Sequence, residues 1–306
     1  MRTPSFEEIR SQALALGWDD VGITTPEIPV ADIQAYEAWL EQGFQGELNY
    51  MENRVRCDPQ QLMPGAKSAI LFISNYKKTL LPFVEGEGLI ASYARGRDYH
   101  QVHQRRIKKF IHWLSEYTGT EVSARGFSDS KPILEKALAV KAGLGWFGKN
   151  TLLIHRRFGT FILLSGILTT LELPIPPALE LRVPKCGSCT KCLDACPTGA
   201  LTEPYLMEAK LCLSYHLIES KKAVPEEIQK KNPGYAFGCD LCQDVCPHNV
   251  RSPLSTRGEF SPEEGIGNYL NAEKLQMLEE DPEALFGKPL KRRGIEGLRS
   301  NLAQLE

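Results

Sequence analysis

The chain has no apolar run long enough to cross a bilayer. Its longest candidate, residues 161–171, is interrupted by Ser165, Gly166, Thr169 and Thr170 and reads as a buried strand. A strong charge of either sign is also lacking. The 36 Lys and Arg residues stand against 38 Asp and Glu, for a net charge of −2, so no global signal points to nucleic acid. No secretory signal opens the sequence, and the cysteines crowd into one region, which argues against a disulfide framework. Apart from two related cysteine runs there is no internal repeat. What remains is an ordinary globular composition, 42% hydrophobic and 24% charged. The 306 residues suffice for one large domain and a smaller one.

Cysteine is the informative residue. Cys186-Gly-Ser-Cys189-Thr-Lys-Cys192-Leu-Asp-Ala-Cys196-Pro197 has the spacing C-x2-C-x2-C-x3-C-P of bacterial ferredoxins. Three close thiolates wrap one corner of a cubane, and the fourth points to the other cluster. Cys239-Asp-Leu-Cys242-Gln-Asp-Val-Cys246-Pro247 repeats the end of that signature, with Ala236 where its first cysteine would stand. Cys212 can supply the missing thiolate. Eight cysteines make two [4Fe–4S] clusters, and crossed ligation assigns them. Cys186, Cys189, Cys192 and Cys246 hold one, and Cys196, Cys212, Cys239 and Cys242 the other. Paired four-cysteine zinc sites are the competing reading, but zinc has no need of the C-x3-C-P turn in both runs. The ninth cysteine, Cys57, reads as a free, semi-buried thiol. Intact thiolates imply a reducing compartment, so the cytoplasm is expected.

Ser5 and Glu8 form a capping box that opens a helix to about Gly17. Residues 31–43 read as a second helix, 68–74 as a buried strand, and 102–117 as an amphipathic helix closed by Gly119. Strands are expected at 121–127, 151–154 and 161–169, and helices at 133–142 and 207–218. Alternating strands and helices give a mixed layered domain over residues 1–175. Pro174, Pro176, Pro177 and Pro184 make a stiff connector to a cluster-binding domain, 176–260. Residues 261–306 form a helical segment with a basic end. The fold class is therefore α+β.

Candidates for chemistry in the first domain are weaker. Asp129, in the turn Gly126-Phe-Ser-Asp129-Ser-Lys-Pro132, can project from a strand end into a cleft or serve as a turn cap. Glu135 is the rival carboxylate, expected on a helix surface. The stretch Lys141-Ala-Gly143-Leu-Gly145-Trp-Phe-Gly148-Lys149-Asn150-Thr151 is dense in glycine and lets backbone approach a ligand. It makes neither a Walker A nor a complete dinucleotide fingerprint. Tyr93-Ala-Arg95-Gly-Arg97-Asp98-Tyr99-His100 mixes aromatics and charge, with His100 reading as structural.

With these segments in view, the chain resembles the epoxyqueuosine reductases, cobalamin- and iron–sulfur-dependent enzymes of tRNA queuosine synthesis. The matching residues are Arg56-x-Asp58-Pro59, the 93–100 and 126–130 segments, 141–151, both cysteine runs, and Phe286-Gly-Lys-Pro289 through Asn301. Some family members continue into a HEAT-like repeat, which is not expected here. The resemblance implies a nitroreductase-like α/β core that binds base-off cobalamin, followed by a ferredoxin-like module with two [4Fe–4S] clusters. No D-x-H-x-x-G motif is present, which fits a cobalamin without an axial histidine. The implied reaction replaces the epoxide of epoxyqueuosine, at the tRNA wobble position, by an alkene. It consumes two electrons and two protons and releases water. Asp129 matches the family's proton donor, and a carboxylic acid in that role needs a raised pKa. Arg56, Tyr93, Asp129, Asn150, Ser214, Cys239 and Asp240 are expected to line the corrin. Lys221, Lys222, Lys291, Arg292, Arg293 and Arg299 are the expected phosphate contacts. A single-electron donor such as flavodoxin or ferredoxin, no membrane, and a monomer complete the expectation.

Overall fold

A computed structural model describes residues 2–176 and 185–305. Its strands are β1 (Asp20–Thr24), β2 (Ser68–Asn75), β3 (Gly88–Ile90), β4 (Ala124–Phe127), β5 (Trp146–Phe147), β6 (Leu153–Ile154), β7 (Ile162–Thr169), β8 (Tyr235–Phe237) and β9 (Tyr269–Leu270). The main sheet has the order β1-β2-β7-β4 and is antiparallel throughout, with Phe72 opposite Ser165 and Phe127 opposite Gly166. Every residue of β2 is buried, because helices cover both faces of the sheet. Successive residues alternate between them, as a pleated strand requires. Ile70 and Phe72 meet Phe110 and Leu114 of the Tyr99–Thr118 helix, where Trp18 stacks on Phe72 at 3.9 Å. Ala69, Leu71 and Ile73 meet Ala137, Leu138 and Ala139 of the Glu135–Lys141 helix. Burying each such side chain contributes about 1.5–3 kcal/mol.

Local signals place the helix ends. Ser5 and Glu8 form the reciprocal capping box ahead of the Phe6–Ala15 helix. Asp98 caps the Tyr99–Thr118 helix by accepting from the His100 amide at 2.9 Å, so it starts three residues before the expected Val102. Gly119, at φ +72°, closes it in the left-handed region that glycine tolerates. The expected helix over 207–218 is broken in two. A 3-10 turn spans Ala209–Leu211 and a helix spans Leu213–Ile218. Cys212 sits extended between them (φ −74°, ψ 124°), so that its sulfur accepts from the amides of Ser214 and Tyr215. The strand expected from 121 begins only at Ala124.

A second sheet, β8-β3-β9, takes one strand from each of the three sequence segments. It packs under the Ala272–Glu280 and Gly294–Leu302 helices through Phe237, Leu270, Leu275 and Leu298. Asn301 is fully buried there and donates to the carbonyls of Leu217 and Ala236 at 2.8 and 2.9 Å. No described helix is long and apolar enough to cross a membrane. Pro177 and Pro184 of the expected connector lie outside the described residues.

Candidate active site

The eight clustered cysteines fall into two groups. Cys186, Cys189, Cys192 and Cys246 together line a cavity of about 200 Å³ with Lys149, Asn150 and His248. Among the described residues no His, Cys, Asp or Glu group is placed to hold one metal ion. Cys196, Cys212, Cys239 and Cys242 form the other group, since Cys242 feels the charges of the remaining three. Amides of the short turns after each cysteine point at sulfur: those of Thr198, Ala200 and Leu201 at Cys196, and that of Leu241 at Cys239. Such donors favour thiolate, the form that binds metal: at Cys196 they outweigh burial and lower its pKa, whereas at Cys239 burial dominates and raises it.

The first half of the chain meets this second group at Asp240. Asp240 is buried, accepts from the Ser92 amide at 2.6 Å and from Gln243 Nε2 at 3.2 Å. Burial raises its pKa. Arg95, itself buried, gives Nε to the Ile90 carbonyl and offsets part of the Asp240 charge. Tyr93 links Asp240 to Asp129: it follows Ser92, whose amide holds Asp240, and its ring meets edge-on, at 6.2 Å, that of Tyr99, the donor to Asp129. Burial raises its phenol first, and both carboxylates then add to the effect. A continuous line of residues thus runs from the second thiol group to Asp129.

Asp129 follows β4 and adopts φ +52°, a left-handed conformation uncommon for a non-glycine residue. Its side chain is 75% exposed. Tyr99 Oη donates to Asp129 Oδ2 at 2.8 Å, and His100 Nε2 stands 3.9 Å from the same oxygen. Tyr99 and His100 stack at 4.1 Å, with His100 Nδ1 held 2.7 Å from Asp98. On the other side the Asp129 amide donates to Glu135 Oε1 at 2.7 Å. The preceding Ser128 is anchored by buried His103, 2.9 Å away, and by the Leu164 carbonyl. The carboxylate therefore projects from a turn held at three points.

Glu135 is the residue that helical periodicity misplaced. It opens its helix, is half-buried instead of lying on the surface, and is pushed up to about 8, first by burial and then by the Asp129 charge. Lys136 beside it keeps an exposed surface although desolvation lowers its pKa, and its Nζ donates to the Thr151 carbonyl. Water contact with protein close on all sides describes the wall of a recess. Arg56 lies near enough to Glu135 to lower it, and its Nε is buried without a partner among the described residues. At the rim, the guanidiniums of Arg56 and Arg292 lie 5.8 and 5.9 Å from the Tyr50 ring. Arg292 also makes a two-pronged ion pair with Glu219. Tyr50, Glu135 and Glu219 come from separate parts of the chain and no motif marks them.

The other expected site residues divide. Asn150 is buried between the two thiol groups, lining the first cavity and donating to the Cys242 carbonyl at 3.3 Å. Ser214 is half-buried beside Cys212. Lys221 and Lys291 are exposed, and Lys291 lies 4.7 Å over Phe286. Lys222 pairs with Glu47, and Arg299 pairs with Glu279. Arg293 is a correction: it is buried, donating to the Ser220 carbonyl and, at 3.0 Å, to Asn301 Oδ1, so it cannot reach a phosphate. The dense glycines also turn out to serve the chain itself. A Cβ on Gly145 would come within 2.2 Å of the Ile154 carbonyl across the β5–β6 hairpin, and Gly143 at φ +79° ends a helix.

Similarity to known proteins agrees with this construction. Residues 185–249 match the family model of the 4Fe-4S double cluster binding domain, and residues 56–130 match the model described as Epoxyqueuosine reductase QueG, DUF1730. An epoxyqueuosine reductase of Leadbetterella byssophila is 37% identical over 300 residues, 97% of each chain. The chain belongs to the epoxyqueuosine reductase family. The Escherichia coli epoxyqueuosine reductase is also 37% identical, over 84% of this chain and 68% of its own. Among solved structures, an epoxyqueuosine reductase with an epoxyqueuosine-modified tRNA-Tyr stem loop superimposes with a TM-score of 0.86 at 25% identity, covering 98% of this chain and 80% of that one. One from Bacillus subtilis, solved with its catalytic aspartate loop swung out of the active site, gives 0.84 at 25% identity over the same shares.

Proposed function

We propose that this protein reduces epoxyqueuosine in a tRNA anticodon to queuosine, with two [4Fe–4S] clusters and base-off cobalamin, in the cytoplasm. The observation that carries the proposal is the line from the second thiol group through Asp240, Tyr93 and Tyr99 to Asp129. The reaction turns an epoxide, two electrons and two protons into an alkene and water. Cobalamin, when bound, supplies a low-potential metal centre, and the clusters supply electrons one at a time. Residues 1–175, with a nitroreductase-like core, hold the corrin in this reading, against Arg56, Tyr93, Asn150, Ser214, Cys239 and Asp240. The partnerless Arg56 Nε suits a carbonyl on the corrin rim.

Asp129 has the chemistry of the proton donor. An epoxide oxygen that leaves without a proton must form an alkoxide in a site shielded from water, which is costly. Tyr99 donates to Oδ2 and so directs the acid proton to Oδ1, the oxygen left free for substrate. The nucleoside leaves its stack to enter the recess, as anticodon loops permit. Lys221, Lys222, Lys291, Arg292 and Arg299 remain the candidates for backbone phosphates. Incubating the reconstituted protein anaerobically with epoxyqueuosine-containing stem loop, cobalamin and a strong reductant tests this. Nucleoside mass spectrometry is expected to find queuosine, and unchanged epoxyqueuosine with all cofactors loaded rejects the proposal.

A further inference from the structure

We infer that the opening onto Cys186, Cys189, Cys192 and Cys246 is the docking surface for an acidic protein that carries single electrons. The inference rests on the function proposed above. The two thiol groups face different surroundings. The loop that carries Cys186 and Cys189 is exposed at Lys185, Gly187, Ser188, Thr190 and Lys191. Cys212 and Cys242 are half-buried on the side of Asp240, whose charge Cys242 feels. Electrons from outside therefore enter at the first group and leave from the second.

The lining of this opening has one sign of charge, with Asp194 and Glu203 exposed outside it. Lys149, Lys185 and His248 line it, and no carboxylate does. Lys149 Nζ is fixed on the Gly187 carbonyl at 2.7 Å, and Lys185 Nζ lies 5.6 Å over the Trp146 ring. Tyr205 adds an aromatic group. It is 45% exposed, its amide donates to the Lys149 carbonyl at 3.0 Å, and its phenol is close enough to Cys186 to feel that thiolate's charge. It adopts φ +70°, a conformation a tyrosine takes only when its surroundings hold it, and such positions gather at functional sites. Val250, 78% exposed, ends the short helix whose N-cap is Cys246. Exposed tyrosine and valine between fixed cations suit a protein surface better than a small reductant. The cations call for a partner rich in Asp and Glu.

The test uses the cluster-loaded protein and a flavodoxin, an acidic FMN protein, as probe. Lys185→Glu and Tyr205→Ala are compared with the unchanged chain in two measurements. One is flavodoxin affinity against salt. The other is queuosine formation driven by flavodoxin or by dithionite. Lys185→Glu is expected to weaken flavodoxin binding at least tenfold at low salt and to flatten its salt dependence. Tyr205→Ala is expected to weaken it with the salt slope unchanged. Iron content, dithionite-driven turnover and stem-loop affinity stay as they were. Unchanged flavodoxin affinity in both variants overturns the inference, as does a loss of stem-loop affinity in its place. Flavodoxin binding with no turnover under dithionite would point to failure of the proposed function alone.

Discussion

Glu135→Ala tests how the Asp129 turn is kept in its working shape. Left-handed backbone costs a non-glycine residue about 1–2 kcal/mol. In return, the Asp129 amide reaches Glu135 Oε1 at 2.7 Å. A hydrogen bond of this kind to a neutral carboxyl contributes about 0.5–1.5 kcal/mol. Without it the strain has no local compensation, and the working turn loses about 0.5–1.5 kcal/mol against relaxed conformations. Turnover should fall between about twofold and tenfold, at about 1.4 kcal/mol per factor of ten. Glu135→Gln keeps a carbonyl acceptor and should stay closer to the unchanged chain than alanine does. The assay is single-turnover queuosine formation under excess reductant, with iron content and the corrin absorption band as controls. Alanine at full rate, or glutamine as slow as alanine, would refute this reasoning. The second result would mean that the carboxyl acts through its proton. The same residue has a pH signature. Its pKa is raised to about 8 in the folded chain from 4.5, so the folded state holds the proton longer. Stability from this group is full below pH 4.5 and is lost as pH rises towards 8, and Glu135→Gln should flatten that part of a melting-temperature profile.

Asp129→Asn tolerates the same turn and can still accept from Tyr99, so clusters and corrin should be retained while turnover drops by about 10²–10⁴; turnover near normal removes Asp129 from proton transfer. Cys212→Ala should halve the iron and spare the first cluster by electron paramagnetic resonance, and an unchanged iron content would break the ligand assignment. His103 is buried between Ser74 and Ser128 and held neutral, its pKa lowered from 6.5 to about 3 by burial and then by Arg106. The unfolded chain takes up that proton first, so stability is lost as pH falls from about 6.5 towards 3, and a His103→Gln chain with no weaker acid slope would contradict this.

Much of this was legible in the sequence because some residues carry meaning in their spacing. The cysteine runs, the Ser5–Glu8 box and the apolar centre of β2 each follow from a short-range rule. The helix over 207–218 failed because Cys212 had to leave helical geometry to present its sulfur, and helical pattern cannot express that demand. Glu135 was hidden for a related reason. Its partner is the backbone amide of a strained turn six residues earlier, which no periodicity encodes. Arg293 looked like one of a basic run, yet Asn301 and Ser220 claim it inside the fold. Within the glycine-dense stretch, Gly145 and Gly148 allow a close approach to Ile154 of the adjacent strand, a contact that composition alone does not express.

The account stands or falls on coupling between the thiol groups and a corrin beside Asp129. Anaerobic titration of the iron-loaded protein with cobalamin, followed by electron paramagnetic resonance after partial reduction, measures that coupling directly. Two cubane signals are expected, one of them broadened by nearby cobalt, together with a base-off cobalt spectrum. Two cluster signals indifferent to added cobalamin, or a protein that takes up no corrinoid, would contradict it.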